Sequence, residues 1–518
     1  MAAQLLPSVQ SCFSTYFEQD DEIVNLSISA KLHISDSVKQ NFGCACAVYT
    51  LGTDDVFITE SQWKTKTPQF STKLSIIPKF EKQQKLRFVL LEMTPVIQSI
   101  DQYKQIGDVI ISLGQILVKG GIEATLMGGI GDVKIEVNQS SHGRGVLSMI
   151  IAFVSMPKDH WLMKNYPQLV ISKRAPHGGW TPVFSSEIIK RSETGQWAPI
   201  SLPCRLICDS DYSRSIRLAV QDAEPNHKAI PIGHVDIPVK VAGEARNLRL
   251  GLIPSDPKIA RAGSLIIRAA ILIERLTFYG HLMQGLRFNF CCAIDFSSNN
   301  RPQRDPKSCH YSSHNQLTPY EMVIQSIGGL VEQYSDDQIC HGWGFSARIN
   351  RQVCYSIPLC DENGKSELHS IHDLLNAYMA IFDKILFDKP ILISPSTTAA
   401  LNLVKGKKDP HCYLVFLIMI SDDPTDLNQF TDLLYQNQYE PISLIIVGLG
   451  EGDFSKTEEA FKAGMPIYNS KGEEFDRDFV TFLKFNNFGS DDLTQLASTA
   501  LFSIPDQAIH WAEVNTIG

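Results

Sequence analysis

The sequence predicts a multidomain protein in which two all-β sandwiches precede an α/β domain with a doubly wound sheet. Three observations lead to this fold class: a length of 518 residues, short β-type segments throughout the first half, and apolar strands alternating with amphipathic helices afterwards. A chain of this length exceeds what one hydrophobic core usually holds. We expect domains at 20–140, 145–276 and 285–507.

The first domain is predicted from six β-type segments, with no helical periodicity of useful length between them. Regular short strands separated by turn signals are typical of a sandwich. The segments are Ile23 to Leu32, Cys46 to Leu51, Ser71 to Ile77, Leu86 to Leu91, Asp108 to Leu113 and Asp132 to Val137.

The second domain repeats this pattern over a similar length, so a second sandwich is expected. Its predicted strands are Leu147 to Val154, Gln168 to Ser172, Ser186 to Lys190, Ser215 to Val220, His234 to Val241 and Ser264 to Ile273.

The third domain is predicted to be α/β because apolar strands alternate with segments of 3.6-residue periodicity. The predicted helices are Pro319 to Tyr334, Ile371 to Ile385, Thr425 to Tyr435 and Asp491 to Leu501. The predicted strands between them are Gly344 to Ile349, Tyr413 to Ile420, Ser443 to Val447 and Phe479 to Phe485.

Composition excludes several classes of protein. Hydrophobic residues make up 44% and charged residues 20%, as in soluble globular proteins, and a net charge of -9 argues against nucleic-acid binding. No apolar stretch reaches the roughly 20 residues that span a bilayer, and the N-terminus does not read as a secretory signal. The 12 cysteines form no Cys-x-x-Cys pair, which favours reduced thiols in a cytoplasmic protein.

Two short acidic elbows follow buried-looking strands. Asp295-Phe-Ser297-Ser-Asn299 ends the apolar run from Phe288, and Ser421-Asp422-Asp423 ends the run from Tyr413. Ligand sites of open α/β sheets lie at the carboxyl ends of the strands. The two elbows therefore predict a site for a metal or another ligand at that edge.

No catalytic motif is present. The sequence has no Gly-x-Ser-x-Gly elbow, no His-Glu-x-x-His and no Walker lysine loop, and Gly448-Leu-Gly-Glu-Gly452 departs from the dinucleotide pattern. We expect the protein not to be an enzyme.

The third domain contains several collinear motifs, which are Phe278-Tyr-Gly-His-Leu-Met-Gln-Gly-Leu-Arg-Phe-Asn-Phe290, Ala293-Ile-Asp-Phe-Ser297, Arg304-Asp-Pro-Lys-Ser-Cys-His-Tyr311, Gly344-Phe-Ser-Ala-Arg-Ile349, Ile418-Met-Ile-Ser-Asp422, Ser443-Leu-Ile-Ile-Val-Gly-Leu-Gly450, Asp453-Phe-Ser455 and Ile504-Pro-Asp-Gln507. By these motifs the domain resembles the copine family, whose members carry two C2 domains followed by a von Willebrand A-like domain. The two sandwiches match C2 domains more loosely, by strand order and loop positions. The chain is thus identified as a divergent member of the family.

The resemblance implies a metal-ion-dependent adhesion site for Mg²⁺ at the first elbow. Its residues are Asp295, Ser297, Asn299 and Asp422. Asn299 stands where the family has a serine, and the position of a ligating threonine falls near the apolar Ile391. The alternative is a strand-end aspartate that caps helix N-termini and orders the loop.

The resemblance also implies Ca²⁺ sites at the tips of the C2 domains. In the first domain only Asp36 and Glu92 are retained as carboxylates, and Lys104 stands where another carboxylate belongs. In the second domain, the set is Asp159, Asn165, Asp222 and Glu224. This set predicts one weak Ca²⁺ site, and a solvated acidic loop without metal is the alternative.

Membrane contact is expected at the same tip of the second domain, through Trp161, Leu162 and Met163. The resemblance thus implies a cytoplasmic adaptor, peripheral at the plasma membrane or another membrane, that binds anionic phospholipid through its C2 domains and a protein partner through its A domain. The alternative is a scaffold whose degenerate C2 domains act as protein-protein modules without metal or lipid.

Overall fold

A computed structural model provides the fold, and it confirms the predicted class of two β-sandwiches followed by an α/β domain. The residues that it describes are 22–33, 42–93, 102–138, 145–156, 166–175, 178–190, 192–209, 211–224, 227–257, 261–273, 276–312, 316–406, 411–488 and 493–515.

The first sandwich is antiparallel, with sheet orders β5-β1-β9-β8 and β3-β2-β6-β7. Strand β1 alternates buried and partly exposed side chains, which is the pattern of a strand with one face on a core. The elements are β1 (Val24–Leu32), β2 (Gly43–Thr50), β3 (Val56–Ile58), β4 (Gln62–Trp63), β5 (Leu74–Ile76), β6 (Lys85–Met93), β7 (Lys104–Ser112), helix α1 (Leu113–Lys119), β8 (Gly121–Thr125) and β9 (Gly131–Asn138).

The second sandwich has its own core and the sheet orders β13-β10-β19-β17 and β12-β11-β15-β16-β18. The elements are β10 (Val146–Val154), β11 (Pro167–Arg174), β12 (Trp180–Ser185), β13 (Gly195–Gln196), β14 (Ile200–Pro203), α2 (Cys204–Cys208), β15 (Ser215–Asp222), β16 (Ile230–Pro238), α3 (Val239–Gly243), β17 (Arg246–Gly251), β18 (Ile253–Pro254) and β19 (Ser264–Ile273).

The α/β domain has a six-stranded sheet in the order β24-β21-β20-β26-β27-β28, in which all neighbours except β24 and β21 are parallel. A small second sheet has the order β23-β22-β25. The elements are α4 (Phe278–Met283), β20 (Arg287–Asp295), α5 (Pro319–Val331), β21 (Cys340–Phe345), β22 (Ala347–Ile349), β23 (Gln352–Cys354), β24 (Ile357–Pro358), α6 (Ile371–Ala380), β25 (Leu386–Phe387), α7 (Ser394–Gly406), β26 (Cys412–Ile420), α8 (Leu427–Gln436), β27 (Ile442–Gly448), α9 (Ser455–Ala460), β28 (Val480–Lys484), α10 (Leu493–Leu501) and α11 (Ile504–Val514).

Several predicted elements are wrong in detail. The strand expected at Ser186 to Lys190 is absent, because the Ser186 hydroxyl accepts the Leu169 amide at 2.9 Å and replaces a ladder carbonyl. The strand expected over Gly344 to Ile349 is broken at Ser346, whose φ of 59° lies in the left-handed region. Helices α1 and α7 were not predicted.

The chain divides into two compact units, and the division does not follow sequence order. One unit contains the second sandwich, and the other combines Ile23–Asn138 with Phe278–Gly518. Within the latter, residues of the first sandwich and of the α/β domain belong to one hydrophobic cluster. The predicted boundaries stay predictions.

An aromatic cluster joins the first sandwich to the α/β domain. The ring of Phe80 lies 5.5 Å from Phe278, 5.0 Å from Phe288 and 4.5 Å from Tyr334, measured between centroids, and Phe80 is 1% exposed. A Cβ added to Gly114 in α1 would meet Gln333 at 3.0 Å, so this helix also packs closely on the α/β domain.

We predict that Phe80→Ala destabilises both parts of this unit by about 3–5 kcal/mol, because it leaves a cavity between them. Amide hydrogen exchange measures this loss as faster exchange in α1 and in α4. The control is Phe502→Ala, at a side chain that is 52% exposed, with an expected change within about 0.5 kcal/mol. Equal effects of the two substitutions would contradict the role of the aromatic cluster.

Candidate functional site

The two elbows lie at the same edge of the main sheet. Strands β20 and β26 are parallel neighbours paired from Arg287↔Cys412 to Ile294↔Met419, so their carboxyl ends meet. All nine residues of β26 are buried, as is nearly all of β20. The first polar side chains after these runs are therefore held where the buried part of the sheet ends.

The carboxylate of Asp295 ties the two elbows together. It is fully buried, and its Oδ1 accepts the backbone amide of Ser297 at 2.7 Å. Its Oδ2 accepts the amide of Ser421 at 2.8 Å and the hydroxyl of Ser421 at 2.6 Å. Burial raises the pKa of Asp295, and the hydrogen bonds from Ser421 and Ser297 oppose that shift.

The backbone carbonyl of Asp295 is held by side chains from three further segments. Asn300 Nδ2 and His310 Nε2 lie 2.9 Å from this oxygen, and the Tyr320 hydroxyl lies 3.3 Å from it. Since a carbonyl only accepts, His310 carries its proton on Nε2, and its Nδ1 accepts from the Tyr378 hydroxyl at 2.8 Å. Burial lowers the pKa of His310 to about 3, so the ring is neutral at physiological pH.

The remaining predicted residues of the A-domain site also come together here. The Ser297 and Ser421 hydroxyls lie 3.0 Å apart, and Asn299 Nδ2 donates to Asp422 Oδ2 at 3.1 Å. Asp295, Ser297 and Ser421 thus form one hydrogen-bonded set, and Asn299 and Asp422, on the same two elbows, form a second pair. The predicted set omitted Ser421, although its position directly after a buried strand is a usable signal.

Two neighbouring carboxylates serve helix N-termini instead. Asp423 accepts from the amides of Lys456 at 3.0 Å and Thr457 at 2.9 Å, at the start of α9. Asp426 accepts from the amides of Ile393 at 3.1 Å and Ser394 at 2.9 Å, at the start of α7. These bonds satisfy amides that have no partner within their helices.

The donor chemistry at the elbows fits a Mg²⁺ ion poorly. Asn299 turns an amide nitrogen towards Asp422, and a nitrogen that donates cannot ligate a cation. Ile391, near the expected threonine position, is apolar and 4% exposed. Among the described residues, no three His, Cys, Asp or Glu side chains are grouped to hold a metal. Binding of Mg²⁺ stays a prediction.

At the tip of the first sandwich, one predicted calcium ligand is already paired. Glu92, near the end of β6, pairs with Lys104 at the start of β7, and its Oε2 lies 3.0 Å from Lys104 Nζ. This ion pair places a positive charge beside the carboxylate, which disfavours a bound cation. Asp36 lies outside the described residues.

At the tip of the second sandwich, two of the predicted residues can be located. Asp222 Oδ1 accepts the Tyr166 amide at 2.8 Å, and Glu224 is exposed. Ile230, which pairs with Asp222 in the β15–β16 ladder, is 60% exposed. Asp159, Asn165, Trp161, Leu162 and Met163 lie outside the described residues.

Among the described residues, no helix combines the length and the apolar character that crossing a bilayer requires.

Comparisons with known proteins point to one family. A family model described as Copine matches residues 308–518. Protein BONZAI 1 of Arabidopsis thaliana is 24% identical over 497 residues, covering 89% of this chain and 85% of the relative. Protein BONZAI 2 of the same plant is 24% identical over 525 residues, covering 93% and 88%.

Solved structures of C2 domains also match parts of the chain. "BON1-C2B" is 18% identical with a TM-score of 0.22, covering 26% of this chain and 94% of that one. Calcium-bound C2A and C2B domains of Extended-Synaptotagmin 2 are 14% identical with a TM-score of 0.22, covering 50% and 99%.

We predict that Ser421→Ala lowers the free energy of unfolding by about 1.5–3 kcal/mol, because a buried carboxylate loses one of its three donors. Urea denaturation measures the change in the free energy of unfolding. Amide hydrogen exchange shows whether the loss of protection lies in β20 and β26. The matched control is Ser298→Ala in the first elbow, since Ser298 is exposed and bonds through its backbone amide. A loss no larger than that of the control would contradict the role of Ser421.

Proposed function

The chain is a divergent member of the copine family, and from this premise we propose that it is a peripheral membrane adaptor. In this proposal the C2 domains contact anionic phospholipid on the cytoplasmic side of a membrane. The A domain recruits a protein partner, and the protein catalyses no reaction.

The proposed binding to phospholipid is supported by the side chains at the tip of the second sandwich. Ile230 is 60% exposed beside Asp222 and Glu224, so an apolar side chain and two carboxylates share this tip. An exposed apolar side chain gains free energy when it enters a headgroup layer. The acidic neighbours repel an anionic surface unless a cation neutralises them.

Calcium dependence is a separate part of the proposal. Asp159, Asn165, Asp222 and Glu224 supply three carboxylates and one amide, which is a charge-poor set for Ca²⁺. Such sets bind weakly, towards millimolar dissociation constants, because affinity follows the number of charged ligands. We therefore propose that Ca²⁺ increases vesicle binding only at high concentrations.

The proposed recruitment of a protein partner rests on the carboxyl edge of the main sheet, at Asp295. The aromatic cluster around Phe80 contacts β20 near its first residues, at Phe288, whereas the elbow begins at its last residue, Asp295. The aromatic contact with the first sandwich thus lies at the opposite end of β20 from the carboxyl edge, and the exposed Ser298, Lys389 and Glu451 lie on segments next to that edge. This edge is the proposed surface for a protein partner.

A second candidate function is a scaffold whose C2 domains bind neither metal nor lipid. The ion pair between Glu92 and Lys104 favours it for the first sandwich, because the lysine ammonium already provides the positive charge that Ca²⁺ would bring to this carboxylate. Retention of a partner after chelation of divalent metals, together with no vesicle binding, would support this function.

We predict that the full chain sediments with vesicles rich in phosphatidylserine and that Ile230→Asp weakens its affinity for these vesicles at least tenfold. The substitution removes an apolar side chain whose burial contributes about 1.5–3 kcal/mol and adds a charge of the same sign as the membrane. Co-sedimentation with and without Ca²⁺ measures the bound fraction.

The control for this experiment is Val241→Asp. Val241 is 48% exposed in α3, which follows the other end of β16, and the substitution introduces the same charge. We expect it to leave vesicle binding unchanged. Absence of sedimentation in both conditions, or equal losses in the two variants, would sink the lipid proposal.

A further inference from the structure

We propose that the A-domain edge of this chain is organised by hydrogen bonds and works without a metal ion. The bonds of Ser421 and Ser297 to Asp295, and of Asn299 to Asp422, take the place that the family resemblance assigns to Mg²⁺. This inference deepens the proposed partner-recruiting role, since it makes recruitment at this edge independent of divalent metal.

The orientation of the Asn299 amide is the first observation. Its nitrogen donates to Asp422 Oδ2 at 3.1 Å, which leaves the Asp422 carboxylate with a donor in place of a cation. The other oxygen of Asp422 accepts the Asp423 amide at 2.8 Å. Turning the Asn299 oxygen towards Asp422 would set two acceptors against each other unless a cation stood between them. The two arrangements therefore exclude each other.

The segment that contains Ile391 is the second observation. Its carbonyl oxygens are already used: Asp388 accepts the Ser298 amide at 2.9 Å, and Pro390 accepts the Ser346 hydroxyl at 2.8 Å. Ile391 accepts the hydroxyl of Thr425 at 2.8 Å. Three backbone carbonyls of this segment therefore already accept hydrogen bonds, and the side chain at Ile391, where the family has a ligating hydroxyl, is apolar.

The state of Asp295 is the third observation. Its two oxygens accept three hydrogen bonds from Ser297 and Ser421, so the buried carboxylate has partners without an ion. Mg²⁺ demands near-octahedral oxygen coordination at roughly 2.0–2.1 Å. To bind here it would have to displace these bonds while receiving only one of the family's hydroxyl ligands, that of Ser297.

Binding of Mn²⁺ to the full chain tests the proposal directly, because Mn²⁺ uses the same oxygen ligands as Mg²⁺ and is seen by electron paramagnetic resonance. Asp422→Ala serves as the reference variant, because it distinguishes Mn²⁺ bound at this edge from Mn²⁺ bound at the tips of the C2 domains. We expect the wild-type chain and Asp422→Ala to bind the same number of Mn²⁺ ions. One saturable Mn²⁺ site that is present in the wild type and lost in Asp422→Ala would overturn the proposal.

The double variant Asn299→Ser, Ile391→Thr restores the two missing hydroxyls. It should gain one Mn²⁺ site per chain, and adding Asp422→Ala should remove that site. Asn299→Ser alone should gain a weaker Mn²⁺ site. This single variant lies at a half-buried position, so it keeps the test informative if Ile391→Thr unfolds the domain. No gain in either variant would show that these two positions do not account for metal independence.

These titrations contain neither vesicles nor a partner. Failure of the metal-free inference is therefore distinguishable from failure of the adaptor proposal, which the sedimentation experiment tests.

Discussion

The buried carboxylate of Asp295 is the interaction on which the A-domain edge depends. It bonds to both strand ends, through Ser297 on its own elbow and through Ser421, which is 126 residues away in the sequence. An ionised carboxylate without such bonds would be strongly disfavoured at this depth. Asp295 therefore holds the two elbows together, and Asn299 and Asp422 on these elbows form a separate hydrogen bond.

The first residues of β20, at the end opposite Asp295, pack against the first sandwich. Phe288 packs on Phe80 of the first sandwich, and Asp295 lies seven residues later, or about 23 Å away at roughly 3.3 Å per residue. One strand thus attaches a sandwich at its start and presents the candidate binding edge at its end. The described aromatic contact between the first sandwich and the α/β domain is therefore far from the candidate binding edge.

The sequence was sufficient to predict the fold class and much of the A-domain cluster. Strand and helix periodicity are local signals, and parallel strands bring their carboxyl ends together, so the two elbows could be placed at one edge of the sheet. The set Asp295, Ser297, Asn299 and Asp422 came from the resemblance to the copine family. The roles of His310 and Tyr320 could not be predicted, because they act on a carbonyl through tertiary contacts. Helix α7 was not predicted for a similar reason, since Asp426 caps it from another segment.

The central claim is that hydrogen bonds, and not a cation, organise the edge at Asp295. A crystal structure of the full chain grown with excess Mn²⁺ tests it most directly, because anomalous scattering locates the ion. The account predicts no anomalous peak between Ser297 and Asp422 and an Asn299 nitrogen that still donates to Asp422. A peak bridging Ser297 and Asp422, at distances near the roughly 2.1 Å typical of Mg²⁺ and its oxygens, would contradict it.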